Sequence, residues 1–214
     1  QPYMVDTSAT EMLINEAYQH STQEVKVSHI MVAIGYDALP KDTLEAYNKA
    51  LDLKKKLKSE SFDSVAAKYS EDPSAVNNFG HLGYFTAFDM IYPFEKAAYN
   101  TKVGEIAGPI RTQFGYHIIK VWDKRAWRGK MHIAHLLVRV EEGAKDDAIL
   151  RGKQKLDSIA AEIKAGKATF NEMVAQYSED FSNKDKNGEI GWLESTNRNF
   201  PENFREAVFA LKKD

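Results

Sequence analysis

Apolar positions recur along this chain in two rhythms, an alternation of two and a helical spacing of three and four. Between Val25 and Ile34 the alternation is strict but both parities are apolar. Val27, His29 and Met31 share one face while Ser28, Ile30 and Val32 share the other, which predicts a central strand covered on both sides. The pattern then turns helical. Asp42 reads as the cap of a helix that buries Leu44, Tyr47, Leu51 and Leu57, with Lys54, Lys55, Lys56 and Lys58 on its wet face. Phe62, Val65, Ala66 and Tyr69, spaced i, i+3, i+4, i+7, predict a second helix. After a polar loop from Asp72 to Phe79, Gly80-His81-Leu82-Gly83-Tyr84-Phe85 reads as a turn entering a short strand. Pro93 precedes a short helix with Phe94, Ala97 and Ala98 inward, Gly108-Pro109 opens a hairpin, and His117 to Trp122 form a closing strand. The order β-α-α-β-α-β-β with short connections is an α+β domain of about one hundred residues. Ahead of it, Ser8-Ala9-Thr10-Glu11 has capping-box spacing, followed by Met12, Leu13, Ala17 and Tyr18 in helical rhythm. A leading helix over residues 1–24 is therefore expected as an attachment to the domain.

The pattern is then written a second time. Val27-Ser28-His29-Ile30-Met31-Val32 returns as Ile133-Ala134-His135-Leu136-Leu137-Val138, an offset of 135 − 29 = 106. Phe62 to Asp72 returns as Phe170 to Asp180, an offset of 180 − 72 = 108. Gly80-x-x-Gly83 returns as Gly188-x-x-Gly191, and Phe94-x-x-Ala97 as Phe204-x-x-Ala207. A period this long suits tandem globular domains rather than a solenoid. The expected division is a leading segment 1–24, a first domain 25–124 and a second domain 125–214. The second is predicted to carry a strand over 131–140, helices over 147–164, 169–177 and 202–211, and a glycine turn at 188–191. The chain holds no second copy of Gly104 to Val121, so the second domain is expected to lack its final hairpin and strand, and the sequence reads as one that continues in nature beyond Asp214.

Composition narrows the chemistry. The 214 residues carry a net charge of −2, which gives no sign of a nucleic-acid partner. No apolar run approaches the roughly 18 residues of a membrane span, so no membrane insertion is expected. The absence of cysteine removes disulfides, thiolate metal sites and thiol nucleophiles; it fits the cytosol too, but inclines the reading towards an exported protein in an oxidising compartment. Two clusters look like sites and are not read as such. His132 and His135 lie three apart on a predicted strand and so point to opposite faces, which prevents them from sharing a metal. Lys124-Arg125 to Lys130, with Trp127 between, is read as a linker with one packed tryptophan.

The specific signal lies in the motifs. The strand His29-Ile30-Met31-Val32, the block Phe62 to Tyr69-Ser70-Glu71-Asp72, the turn Gly80-His81-Leu82-Gly83, the segment Met90 to Pro93-Phe94-Glu95-Lys96-Ala97 and the run Gly108-Pro109-Ile110-Arg111-Thr112-Gln113-Phe114-Gly115-Tyr116-His117-Ile118-Ile119-Lys120-Val121 together resemble the parvulin family of peptidyl-prolyl cis-trans isomerases. The resemblance implies two tandem parvulin-like domains of the FKBP-like superfold, each an antiparallel four-stranded sheet with helices. Two modules behind a leading helix resemble the arrangement of SurA-like periplasmic chaperones. That implies a periplasmic or envelope location, and as partners unfolded or proline-containing polypeptides, outer-membrane protein precursors among them. The implied activity is isomerisation of X-Pro bonds, with a non-catalytic parvulin-fold chaperone as the alternative. No cofactor or metal is called for.

By the same resemblance, His29, Asp72, Thr112 and His117 form a polar catalytic cluster, and Leu82, Met90 and Phe94, with Phe114 at the edge, form the proline pocket. Many relatives carry a cysteine where this chain has Asp72, which puts a thiol nucleophile out of reach. From composition alone Leu82, Met90 and Phe94 would be core. In the second domain His135, Asp180, Ile190 and Phe204 are the counterparts, Phe200 is the nearest candidate for the Met90 position, and nothing matches Thr112, Phe114 or His117. The second domain is therefore expected to be inactive. The loop from Ile34 to Lys41 holds Lys41 as its one basic residue, and no phosphate requirement in the substrate is expected.

Overall fold

A computed structural model of the chain describes residues 7–35 and 37–211. The chain divides into two compact units, one holding the residues up to Arg128 together with Arg198–Glu206, the other Gly129–Asn197 and the residues from Ala207 on.

The first unit is built on a four-stranded antiparallel sheet in the order β2-β1-β4-β3. Its strands are β1 (Gln23–Ala33), β2 (His81–Phe85), β3 (Ile106–Thr112) and β4 (Gly115–Ala126). β1 lies inside the sheet, as its two apolar parities require. On one face Ile30, Val32 and Ile118 pack with Ala46, Ala50 and Leu53 of α2 (Pro40–Lys56) and with Phe62, Val65 and Ala66 of α3 (Phe62–Tyr69). On the other, Val25, Val27, Ile119 and Val121 pack with Phe85 and with Phe94 and Ala98 of α5 (Tyr92–Asn100). Odd-numbered residues of both central strands thus face α5 and even-numbered ones face α2 and α3.

The structure corrects several local expectations. α1 (Thr7–Ser21) already contains Ser8, which therefore does not cap it, and Met12, Leu13 and Tyr18 are exposed. Asp42 lies in the first turn of α2; the cap position is Leu39, and Pro40, which has no N–H to satisfy, opens the helix. The buried stripe of α2 is Ala46, Ala50 and Leu53, while Leu44 is exposed at 59% and Tyr47 at 38%. Lys54 is not purely a solvated lysine, since its ammonium donates to the Gly108 carbonyl at 2.7 Å. Part of the loop from Asp72 to Phe79 closes into one helical turn, α4 (Ala75–Asn78). Gly108-Pro109 does not open the hairpin but sits within β3, where the ladder to β4 is broken between Ala107 and Ile110; a proline without an N–H fits such a break. The hairpin turns at Gln113-Phe114. Lys124 and Arg125 are not linker, because β4 continues to Ala126 by pairing with the start of β1, and Trp127 is 40% exposed rather than packed.

The second unit holds β5 (Lys130–Ala134) paired antiparallel to β6 (Glu189–Glu194), with α6 (Asp146–Lys164) and α7 (Phe170–Tyr177). α8 (Glu202–Ala210) follows β6 in the chain. Its strand stops six residues short of the expected 140. In β1 the residues from His29 to Ala33 are laddered to β4 alone, and the second unit has no described strand in that position. The next residues still follow the path of the first copy. Leu137 accepts from Glu179 N–H at 2.8 Å as Met31 accepts from Glu71 N–H at 2.8 Å.

Candidate active site

His29 on β1 and His117 on β4 are diagonal neighbours, His117 lying opposite Met31 and His29 opposite Ile119. Diagonal residues two apart share a face of the sheet, here the face under α5. The two rings lie nearly parallel, 14° apart in plane, with Nδ1 facing Nδ1 at 3.1 Å. Phe94 stands over both, edge to face at 5.8 Å from His29 and 5.4 Å from His117. All three are buried, Phe94 to 3% exposure.

A glycine sets the height of His29. Gly80 has φ +77, and a Cβ there would lie 2.3 Å from the His29 carbonyl oxygen, while Gly80 O accepts the His29 N–H at 2.9 Å. Only a residue without a side chain combines that conformation with that approach. The arrangement is repeated in the second copy, where Gly188 has φ +75, its Cβ would lie 2.1 Å from His135 O, and its carbonyl accepts His135 N–H at 2.9 Å.

The hydrogen bonds have a forced direction. Burial raises and hydrogen bonds from Ser74 and His29 lower the Asp72 carboxyl, with the net result below its ordinary value. It is therefore ionised near neutral pH and accepts only. Oδ1 takes the Ser74 N–H and hydroxyl, both at 2.9 Å, and Oδ2 takes His29 Nε2–H at 2.6 Å. Burial holds His29 below its ordinary value against the pull of Asp72, so the ring is neutral and its Nδ1 is bare. Nδ1 of His117 must then carry the proton between them. Burial, and then the neighbouring His29, push His117 down to about 4, so its Nε2 is bare and accepts the Thr112 hydroxyl at 2.8 Å. Thr112 Oγ1 in turn accepts Phe114 N–H at 3.1 Å. One unbroken chain of donors runs from the β3-β4 turn to the loop after α3, and it fixes both imidazole tautomers.

Every residue expected in the polar cluster is thus in it. Leu82 and Met90 are partly buried and pack against the same apolar cluster as Phe94, and Phe114, 54% exposed, stands at the hairpin turn and joins the cluster through its backbone. Sequence reasoning missed Ser74, and read Gly80 as a turn and family motif without its contact to His29. Asp72-x-Ser74 is the spacing of an Asx turn and was a usable signal.

The second copy keeps part of this. His135 Nε2 meets Asp180 Oδ2 at 2.8 Å, and Asp180 Oδ1 takes Ser182 N–H at 3.1 Å and its hydroxyl at 2.6 Å. The Ser182 hydroxyl, then His135, pull the Asp180 carboxyl down to about 2. Among the described residues no second imidazole reaches His135, whose side chain is 26% exposed against 8% for His29. The Asn183 amide nitrogen lies 3.2 Å from the same Nε2 that faces Asp180, and so does not take the place that His117 holds at Nδ1 of His29; sequence reasoning did not single this residue out. Ile190 is partly buried on β6; Phe204, on α8, stacks on Phe200 at 5.4 Å. Among the described residues no group of three or more metal-binding side chains occurs, and no helix is long and apolar enough to cross a membrane.

The family model of the PpiC-type peptidyl-prolyl isomerase domain matches residues 11–125, and a second model of the same description matches residues 135–214. The chain belongs to the PpiC-type isomerase family. It carries two such domains in tandem. The foldase protein PrsA of Geobacillus kaustophilus is 41% identical over 120 residues, 56% of this chain and 38% of the relative. The chaperone SurA of Salmonella typhimurium is 30% identical over 199 residues, 90% of this chain and 45% of the relative. The chain therefore spans less than half the length of these curated relatives. Among solved structures, the peptidylprolyl isomerase PrsA of Bacillus anthracis aligns at 26% identity and a TM-score of 0.42, over 75% of this chain and 69% of that one.

Proposed function

We propose that the first domain, residues 25–124, isomerises X-Pro bonds in extended or unfolded polypeptides, with His29, Asp72, Thr112 and His117 as the polar floor and Leu82, Met90, Phe94 and Phe114 as the proline-binding wall. The observation that carries this reading is the neutral histidine pair locked beneath Phe94. The planar amide is the more polar state of an X-Pro bond, and rotation about it faces a barrier of about 18–20 kcal/mol. A dry, apolar wall over a floor whose polar groups are already satisfied disfavours the planar form and leaves the twisted one less penalised. The Asp72 carboxylate accepts three hydrogen bonds within the protein, which leaves it poorly placed as a nucleophile. The role we assign to the polar residues is to shape the floor.

In the second domain, residues 125–214, we propose His135, Asp180, Ile190 and Phe204 as the counterparts of His29, Asp72, Leu82 and Phe94, and we assign these residues a role in binding polypeptide. The foldase and chaperone relatives support polypeptide clients; an envelope location, with outer-membrane precursors among those clients, is our proposal. A holding function has its own observation in the first domain, where Phe88 is 81% exposed, Phe114 54% and Tyr92 45%.

The test is cis-trans exchange of X-Pro peptides followed by NMR. Phe94→Ala would open a cavity costing about 3–5 kcal/mol at this burial, so Met90→Ala and Phe94→Leu are the variants to use. Acceleration by the wild type that falls at least tenfold in the double variant, with its circular dichroism unchanged, is expected. Peptide shifts at Met90 and Phe94 without any acceleration would leave the holding function in its place.

A further inference from the structure

We infer that the first unit has a second subsite beside the proline wall, which takes a large apolar side chain of the same client segment. The inference rests on the isomerase reading for the client, not for the cavity. α1 and the loop before α5 enclose a cavity of about 400 Å³. Leu13 and Ala17 of α1 line one side, and Phe88, Met90 and Tyr92 line the other. Met90 also packs against the Phe94 cluster, so cavity and proline wall share a residue and one extended peptide can serve both.

Phe88 is the second observation. It is 81% exposed and has φ +68, a conformation bulky residues avoid. Exposing a phenyl ring and holding it left-handed are both unfavourable, and strain of this kind persists where surrounding structure enforces it. The enforcing group is the buried carboxylate of Glu95, whose Oε2 accepts Phe88 N–H at 2.8 Å while Oε1 meets His20 Nδ1 of α1 at 2.9 Å. The same carboxylate thus joins α1, α5 and the loop, and presents the ring at the cavity rim.

The polar groups at the cavity decide what it takes. Glu95 is engaged by His20 and Phe88, and Glu16 by the Tyr92 hydroxyl at 2.8 Å and by the Lys96 ammonium at 3.5 Å. Neither carboxylate is left over for a basic client residue, whereas the Leu13, Ala17 and Phe88 surface is. The occupant is therefore apolar, and the volume suits a leucine or an aromatic ring.

The experiment compares two proline peptides on the full chain, one with alanine at the positions flanking the X-Pro pair and one with leucine or phenylalanine placed there in turn. Burial of one such side chain is worth about tenfold in affinity, so a lower KM for one apolar-flanked peptide, by roughly that factor, is expected. Ala17→Phe, which fills the cavity, and Phe88→Ser, which removes the rim, should each bring the ratio of the two KM values close to one. Phe88→Ser changes a solvent-exposed side chain, so it keeps the test decisive if Ala17→Phe fails to fold. Isomerisation of both peptides with equal KM, or a preference that survives both variants, overturns the subsite and leaves the isomerase. Failure to accelerate either peptide overturns the isomerase; peptide-induced NMR shifts at Ala17, Phe88 and Tyr92 that require the apolar flank would still establish the subsite, and their absence would overturn it too.

Discussion

Neutrality of the two imidazoles is the property on which the site depends, and it makes stability respond to acid. His117 in the folded chain takes a proton only near 4, because it is buried and faces a second ring that shares its environment. An unfolded chain would protonate it near 6.5. The folded value is the lower one, so the contribution is fully present above about 6.5 and is lost as pH falls from there towards 4, where it levels off. The loss is on the order of 3 kcal/mol for this group, and the lowered value of His29 adds to it in the same direction. Asp72, held below its ordinary value, titrates under this window and does not confuse it. Urea unfolding at pH 7.0, above the window, and at pH 4.5, close to its lower end, should show most of the drop, and ring nitrogen shifts of His117 should stay those of the Nδ1–H tautomer between them. A ring that titrates near 6.5 would sink the forced direction of the donor chain. The pairing of His29 with His117 and Asp72 was legible through the family motifs. The tautomers were not, because they follow from Ser74, Thr112 and the Phe114 N–H acting together, and those contacts exist only once three loops meet.

At the scale of elements the repeat offsets have a physical location. α2 is 17 residues long and α6 is 19, and 19 − 17 = 2 is the difference between the offsets 108 and 106. Pro40 and Asp146 open the two helices at offset 106, and Lys56 and Lys164 end them at offset 108. Buried Leu53 matches buried Ile159 at offset 106, which places the two extra residues in the last turn of α6, where they lengthen the helix by about 3 Å without rotating its buried face. The mistaken stripe of α2 has a related cause. Size was taken as the sign of burial, but a helix lying close on a sheet buries small residues at the nearest approach, here Ala46 and Ala50, and lets Leu44 and Tyr47 flank it. Tyr47 finds its partner at the flank, edge to face with Tyr116 at 5.4 Å. Ala50→Leu, into a site with 0% exposure, should therefore destabilise by about 1–3 kcal/mol, while Leu44→Ala should change stability by less than about 0.5 kcal/mol. Equal effects in thermal unfolding would restore the larger residues to the core.

Across the whole molecule the two copies share their turns and caps but differ in what closes the core. Ser61 caps α3 by accepting Ser64 N–H, and Thr169 caps α7 within a full capping box with Glu172. Local chemistry of this kind is written in short motifs such as Thr169-x-x-Glu172, yet the caps expected from the sequence, Ser8 and Asp42, lie inside their helices, and neither Ser61 nor Thr169 was singled out. Sheet pairing is not local. Residues 131–140 and 25–34 have similar patterns, yet the first copy gains a β4 ladder from Gln23 to Ala33 while β5 ends at Ala134 with β6 as its described partner. A two-stranded ribbon with one covered face is marginal by itself. The fully buried apolar residues reflect this, with Val25, Val27, Ile30, Phe85, Ile118, Ile119 and Val121 in the first sheet against Leu193 in the second. Amide hydrogen exchange of this chain should accordingly show two tiers. The β1 and β4 amides are expected to exchange at the slow, global limit, and those of β5 and β6 at least a hundredfold faster, through an opening that leaves the first unit folded. A single exchange class shared by both units would mean that they unfold as one, and that the second copy draws its stability from something other than its own sheet.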